Sequence, residues 1–295
     1  MKNNIYNLKS YCEKIDSRLK ELLITEQKPY EIIFDAMKHS LSAGGKRIRP
    51  ILALEFYRLC GGKNDILNIA CAIEMIHTFS LIHDDLPCMD NDDFRRGKPS
   101  CHKVYGEAYA LLAGDALATL PYEIITNEAI TNNISYEMAV KVSNELSKAV
   151  GMNGMIAGQV IDILNEGKSI DKITLSLLDS LKTGELIRVS CKIGCILANA
   201  NNNQMKLAEE YAKNIGIAFQ IVDDILDVTS TFEKLGKPIN SDTHNNKSTY
   251  VSIFGLEKAK EKPKALTQNA LTILSEFNDN DFMIELTNML LTREN

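Results

Sequence analysis

The chain has 295 residues, enough for one large or two ordinary domains and for a substantial buried core. Its 45% apolar and 24% charged residues are ordinary for a globular protein, neither disordered nor fibrous. A net charge of −6 argues against nucleic-acid binding, which usually needs a basic surface, while leaving room for a local basic pocket around a small anion.

The first residues, MKNNIYNLKSYCEKIDSRLK, hold no long apolar run and no small-residue cleavage site, so no signal peptide is expected. Apolar residues then recur three and four apart near 5–24, 29–42, 50–60, 65–86, 105–128, 136–150, 171–200, 204–229, 248–262 and 264–277, which predicts helices there. Breaks fall at Gly61-Gly62, at Pro87, at Arg96-Gly97-Lys98-Pro99, at 165–168 and over 229–246. No alternating β-branched run competes, so the fold class is all-α. With no internal repeat and no low-complexity linker, one domain over residues 1–295 is the simplest account. No run of about 18 uncharged apolar residues occurs, so no membrane span is expected. Seven scattered cysteines fit reduced thiols in a cytoplasmic protein.

Two of the helices, ILNIACAIEMIHTFSLIHDD and AEEYAKNIGIAFQIVDDILD, are apolar on most faces and so belong inside a bundle. Both end in aspartates. Asp84 and Asp85 lie in the last turn before Pro87, and Asp223, Asp224 and Asp227 in the last turns before Thr229. Carboxylates at a helix C-terminus are disfavoured by about 0.3–1 kcal/mol each unless a cation compensates. One such run reads as solvated; two closing buried helices call for a cation. Asp223 and Asp227 share a face, and Pro87 frees Asp90 to fold back from the loop. Hard oxygen donors with few His or Cys nearby suit Mg²⁺. Asp90-Asn91-Asp92-Asp93 is not an EF-hand, because Arg95 stands where the turn glycine is needed.

Cations stand where an anion could be held. Ser42-Ala43-Gly44-Gly45-Lys46-Arg47-Ile48-Arg49-Pro50 is a flexible basic loop before a helix start, suited to a diphosphate through its N–H groups, Lys46 and Arg49. Arg95 and Arg96 follow the first aspartates, and Lys182, Lys237 and Lys247 mark later turns. No Gly-x-x-x-x-Gly-Lys-Ser/Thr loop is present, so a nucleoside triphosphate is not indicated. His77, seven residues before Asp84, shares its face about two turns down; a core histidine is the competing reading there and at His83.

In GGKRIRP (44–50), LIHDDLPCMDNDDFRRGKPSCH (81–102), GEAYALLAGDAL (106–117), GMIAGQVID (154–162), KTGEL (182–186), FQIVDDILD (219–227) and GKPINSDTHNNKSTY (236–250), the chain resembles the trans-type short-chain polyprenyl diphosphate synthases, and among them the bacterial farnesyl diphosphate synthases. The ordered motifs cover nearly the whole chain. The resemblance implies a single polyprenyl synthase domain, one large helical bundle of the isoprenoid synthase type with a central substrate cavity, usually in a homodimer. It implies condensation of isopentenyl diphosphate with dimethylallyl and geranyl diphosphates to give farnesyl diphosphate, with Mg²⁺, three per active site.

By the same resemblance Asp84, Asp90, Asp223 and Asp227 bind the metal ions, with Asp85 and Asp224 in support. Arg95, Lys182, Lys237 and Lys247 hold the allylic diphosphate, and Gly45, Lys46, Arg49, His77 and Arg96 bind isopentenyl diphosphate. Thr183 and Gln220 set oxygen dipoles beside the allylic carbon. Phe79, five residues before Asp84, and Ser80, more directly beneath it, are the candidates for setting product length. The chain departs from the family at Leu178-Asp179-Ser180-Leu181, where a histidine is frequent, and at Glu185 and Arg188. A geranylgeranyl diphosphate synthase, a terpene cyclase and a non-catalytic synthase subunit are the alternatives. The basic loop and the second aspartate group argue against a cyclase, and the intact aspartates against a subunit.

Overall fold

Apolar residues three and four apart fold into helix along almost the whole chain. The computed structural model describes residues 7–24, 28–229 and 248–292. In order these form α1 (Leu8–Leu22), α2 (Glu31–Leu41), α3 (Ile48–Leu59), α4 (Leu67–Asp84), a two-residue antiparallel ladder of β1 (Phe94–Arg95) with β2 (Lys98–Pro99), α5 (Cys101–Tyr105), α6 (Glu107–Ile130), α7 (Tyr136–Val150), α8 (Met155–Leu164) and α9 (Lys172–Asp179). A π-helical turn (Ser180–Gly184) leads into α10 (Glu185–Leu197), followed by α11 (Asn202–Thr229), α12 (Tyr250–Phe254), α13 (Leu256–Leu274) and α14 (Asp281–Thr292). Among the described residues no helix is long and apolar enough to cross a membrane.

The chain packs into two compact units. One holds residues 1–54 and 64–143, the other 55–63 and 144–295, so the chain changes unit three times, within α3, after Lys63 and within α7. In the first unit α4 packs most extensively on α6, and α1 and α2 also contact it. Every residue of α4 from Ile69 to Ile76 is buried, Glu74 among them. Each fully buried Ile or Met there contributes about 1.5–3 kcal/mol.

In the second unit α11 is flanked by α10 and α13 and also meets α14. Tyr211 of α11 is fully buried, and its hydroxyl pairs with Thr287 Oγ1 at 2.8 Å, so the polar end costs little.

Several element boundaries differ from the expectation. The predicted helix over 171–200 is continuous from Lys172 to Leu197 but widened by the π-turn inside it, and α8, α5 and α14 arise where no helix was expected. The break expected near residue 263 lies instead at Gly255, whose φ of +82° starts α13. Pro263 is carried inside α13, where Ala259 and Leu266 pack with Ala218 and Ile221 of α11. That burial outweighs the one backbone hydrogen bond a helix loses at proline.

Candidate active site

In the first unit, α4 ends at Asp84 because Pro87 cannot continue it. The chain then turns back on itself. The Met89 N–H donates to Leu86 O at 2.8 Å and the Asp90 N–H to Asp84 O at 2.9 Å, with Asn91 left-handed at φ +53°. Asp90 is thereby returned to the helix end that carries Asp84. Asp85 takes a different path: it is 3% exposed and gripped by Arg95, whose Nε donates to its Oδ1 at 2.9 Å and whose Nη2 also reaches it. Arg95 Nη2 donates further to Asp92 Oδ2 at 3.0 Å. Burial pushes the Asp85 carboxyl up to about 6, with Arg95 opposing.

The tight turn between β1 and β2, with Arg96 and Gly97 at positive φ, lays this hairpin against the basic loop. Arg96 Nη1 donates to Gly44 O, Lys98 Nζ to Ser42 O at 2.9 Å and His39 Nε2 to Pro99 O at 2.8 Å. Arg49 Nη1 lies 3.3 Å from His77 Nε2. Burial, then the charges of Arg49, Arg96, Arg47 and Arg95, hold the His77 pKa well below the usual imidazole range. His77 is therefore neutral at pH 7, and its Nε2 accepts from Arg49. Gly45, Lys46, Arg49, His77 and Arg96 thus lie in one region.

Phe79 is buried and meets the His83 ring edge-on at 5.6 Å. His83 is half-buried: its Nε2 donates to Leu111 O at 3.1 Å and lies 3.8 Å from Asp115 Oδ1. Ser80 spends its hydroxyl on its own helix, donating to His77 O at 2.9 Å.

In the second unit the π-turn carries Lys182 and Thr183. Such turns widen a helix locally and recur at functional sites. Helix α8 approaches it through Gly158, where any Cβ would collide with the Lys182 backbone. This approach sets Lys182 Nζ 2.6 Å from Asp162 Oδ2. Thr183 Oγ1 donates to Gln220 Oε1 at 2.9 Å, Gln220 Nε2 to Asp224 Oδ1 at 2.9 Å, and the Tyr250 N–H to Asp224 Oδ2 at 2.7 Å. Asp224 is buried with both oxygens accepting, whereas Asp223 is half-buried, and Asp227 is buried one turn further on.

Near Lys182 sits Asp179, at the departure from the family pattern. Burial, then the charges of Asp224 and Asp162, push its carboxyl up to about 8, with Lys182 opposing. The other departure is accommodated by a charge network. Arg188 Nε donates to both Glu185 oxygens at 3.1 Å, and Glu145 and Glu209 bridge it to Lys192. Lys237 and Lys247 lie outside the described residues.

Asp162, Asp179 and the Arg47–Glu74 pair were not singled out from the sequence. Signals existed: Glu74 is an acid inside an otherwise apolar helix, and Gln159 and Asp162 are an i, i+3 polar pair in one of the motifs.

Among the described residues no three His, Cys, Asp or Glu side chains converge closely enough to hold a metal ion by themselves. Mg²⁺ does not require such a cage, since it commonly takes one or two carboxylates with phosphate and water oxygens. Asp84 with Asp90, joined through the bond from the Asp90 N–H, and Asp223 with Asp227 are hard-oxygen pairs that fit this demand.

The polyprenyl synthetase family matches residues 30–288. A farnesyl diphosphate synthase of Geobacillus stearothermophilus is 49% identical over 228 residues, covering 77% of this chain and 76% of that protein. A geranylgeranyl diphosphate synthase of Cyanophora paradoxa is 44% identical over 266 residues, covering 89% and 88%. The crystal structure of a geranyltransferase from Helicobacter pylori, complexed with magnesium and isoprenyl diphosphate, matches with a TM-score of 0.86 at 32% identity, covering 99% of this chain and 97% of that one. The chain belongs to the polyprenyl synthetase family, with its all-α isoprenyl synthase fold, and is a prenyltransferase of the trans type.

Proposed function

We propose that this prenyltransferase couples isopentenyl diphosphate to dimethylallyl diphosphate and then to geranyl diphosphate, releasing farnesyl diphosphate. The observation that carries the fifteen-carbon product is Phe79, buried on α4 five residues before Asp84 and packed on His83. A phenyl ring there would floor the space available to a growing chain. The farnesyl synthase relative at 49% identity supports this reading. A twenty-carbon product is the second reading, favoured by the geranylgeranyl synthase relative.

In this proposal Asp84, Asp90, Asp223 and Asp227 are the donors for Mg²⁺. Magnesium bound there would neutralise the charge that grows on the departing diphosphate. Arg95, Lys182, Lys237 and Lys247 hold that diphosphate, and Asp85 and Asp162 orient the first two of these cations. Ionisation leaves an allylic cation, which needs dipoles and no nucleophile. Because Asp224 accepts from Gln220 Nε2, the amide oxygen is directed to Thr183, so both oxygens are fixed before substrate arrives. Lys46, Arg49, Arg96 and Gly45 bind isopentenyl diphosphate, with neutral His77 adding no charge of its own. Holding its double bond beside the cation supplies the orientation term. The released diphosphate takes the final proton.

Pairing of two copies as a homodimer is part of this proposal and rests on the family resemblance alone. The test is incubation with dimethylallyl and isopentenyl diphosphates plus Mg²⁺, followed by sizing of the products. Farnesyl diphosphate as the end product supports the proposal, a twenty-carbon product supports the second reading, and no turnover contradicts both.

A further inference from the structure

Between Lys46 and Arg49 stands an arginine whose side chain is buried. Arg47 is 3% exposed, and every part of its guanidinium is engaged. Its Nη1 donates to Glu74 Oε1 at 2.7 Å, its Nε to Asp16 Oδ1 at 2.8 Å and its Nη2 to the Leu41 carbonyl. One planar fork therefore ties the loop to α4, to α1 and to the end of α2.

The loop needs such an anchor. Gly44, Gly45 and Arg47 have φ of +89°, +122° and +49°, and the left-handed region is disfavoured for an arginine. The one local bond, from the Ile51 N–H to the Arg47 carbonyl at 3.1 Å, leaves the side chain unheld. Its contacts run in step with those of its neighbour, because Arg47 reaches Glu74 while Arg49 reaches His77, one helical turn further along α4. The Lys46 carbonyl between them accepts from Cys12 Sγ at 3.7 Å. Fixing the Arg47–Glu74 rung therefore fixes the register of Lys46 and Arg49 against the helix.

Charge gives a second reason. Glu74 is 1% exposed, and without Arg47 its carboxylate would stand unpaired in the region proposed for an anionic substrate.

We propose that Arg47, clamped by Glu74 and Asp16, is a positioning residue that holds the 44–49 loop in the conformation that receives the diphosphate of isopentenyl diphosphate. This rests on the reading of Lys46 and Arg49 as ligands of that substrate. Arg47 touches no substrate itself; it acts through its two neighbours.

The test is steady-state kinetics of full-length Arg47→Lys, Arg47→Met, Glu74→Gln and the double variant Arg47→Met/Glu74→Met, alongside Arg49→Gln, all below the lowest melting temperature. The expected result is a KM for isopentenyl diphosphate raised about tenfold or more in the Arg47 and Glu74 variants. The allylic KM and kcat should stay within about threefold. The double variant replaces the buried pair by apolar side chains and so restores stability without restoring the anchor. Its KM should remain high even with a wild-type melting temperature. A double variant that regains both the melting temperature and the wild-type KM would show a merely structural role and overturn the proposal. So would Arg47 and Glu74 variants whose KM is unchanged while that of Arg49→Gln rises. If Arg49→Gln itself leaves the KM unchanged, the substrate reading of the loop falls, and the proposal with it.

Discussion

The Thr183 hydroxyl donates to Gln220 Oε1 at 2.9 Å, joining the π-turn before α10 to the middle of α11. Asp224 fixes which way the amide points, since a carboxylate can only accept. Thr183→Val removes one oxygen dipole and leaves Gln220 without its donor. The expected outcome is a kcat lower by about 10- to 100-fold with the allylic KM little changed, on the scale of losing one preorganised dipole. Steady-state assays with geranyl diphosphate check it; a fall in affinity with kcat preserved would contradict it.

Adjacent aspartates should fail in different ways. Asp85→Ala leaves half-buried Arg95 with only Asp92 as a carboxylate partner and should lower the melting temperature measurably. Asp84→Ala should lower turnover by about 100-fold or more. Thermal melts and turnover measured on the same preparations separate the two.

Asp179 makes stability pH-dependent. Its carboxyl titrates at about 8 in the folded chain, against an ordinary 3.8 when unfolded. Between these values only the folded chain holds the proton, so stability falls as pH rises from about 4 to about 8 and levels off above. Asp179→Asn removes that slope. Its melting temperature should equal the wild type's near pH 4 and exceed it at pH 9, by roughly 2–4 °C per 1 kcal/mol recovered. Equal melting curves at pH 9 would show that the carboxyl is not destabilised there.

Phe79→Ala opens the space beside His83. Products should lengthen by one or more five-carbon units, as read by chromatography of the dephosphorylated alcohols. An unchanged product would remove Phe79 from the length-setting role.

Helices α4 and α11 were legible because an all-round apolar pattern ending in aspartates is a strong and unusual signal. The boundaries were less so. Helix α8 escaped notice because it is short and leaves Ile156, Val160 and Ile163 exposed, which blurs its stripe. The π-turn at Ser180–Gly184 has no local signature; α8 packs against it through Gly158, whose place twenty-four residues upstream of Lys182 gives no local warning. Pairings such as Lys182 with Asp162 and Arg47 with Glu74 are tertiary, so periodicity cannot show them. That Pro87 frees Asp90 to fold back was legible, whereas the Asp90 N–H to Asp84 O bond that returns it appears only in the structure. The resemblance had set Asp85 and Asp224 in support within each acidic run, but their partners, Arg95 and Gln220 with the Tyr250 N–H, are contacts that periodicity does not name.

The central claim is that carboxylates from both aspartate groups bind the allylic diphosphate through Mg²⁺. Calorimetric titration with a non-ionisable thio analogue of geranyl diphosphate, with and without Mg²⁺, tests it most directly. The account predicts binding that is strengthened by Mg²⁺ in the wild type, and loss of that strengthening in Asp84→Ala and in Asp223→Ala alike. Mg²⁺-dependent binding of wild-type strength in either variant would contradict it.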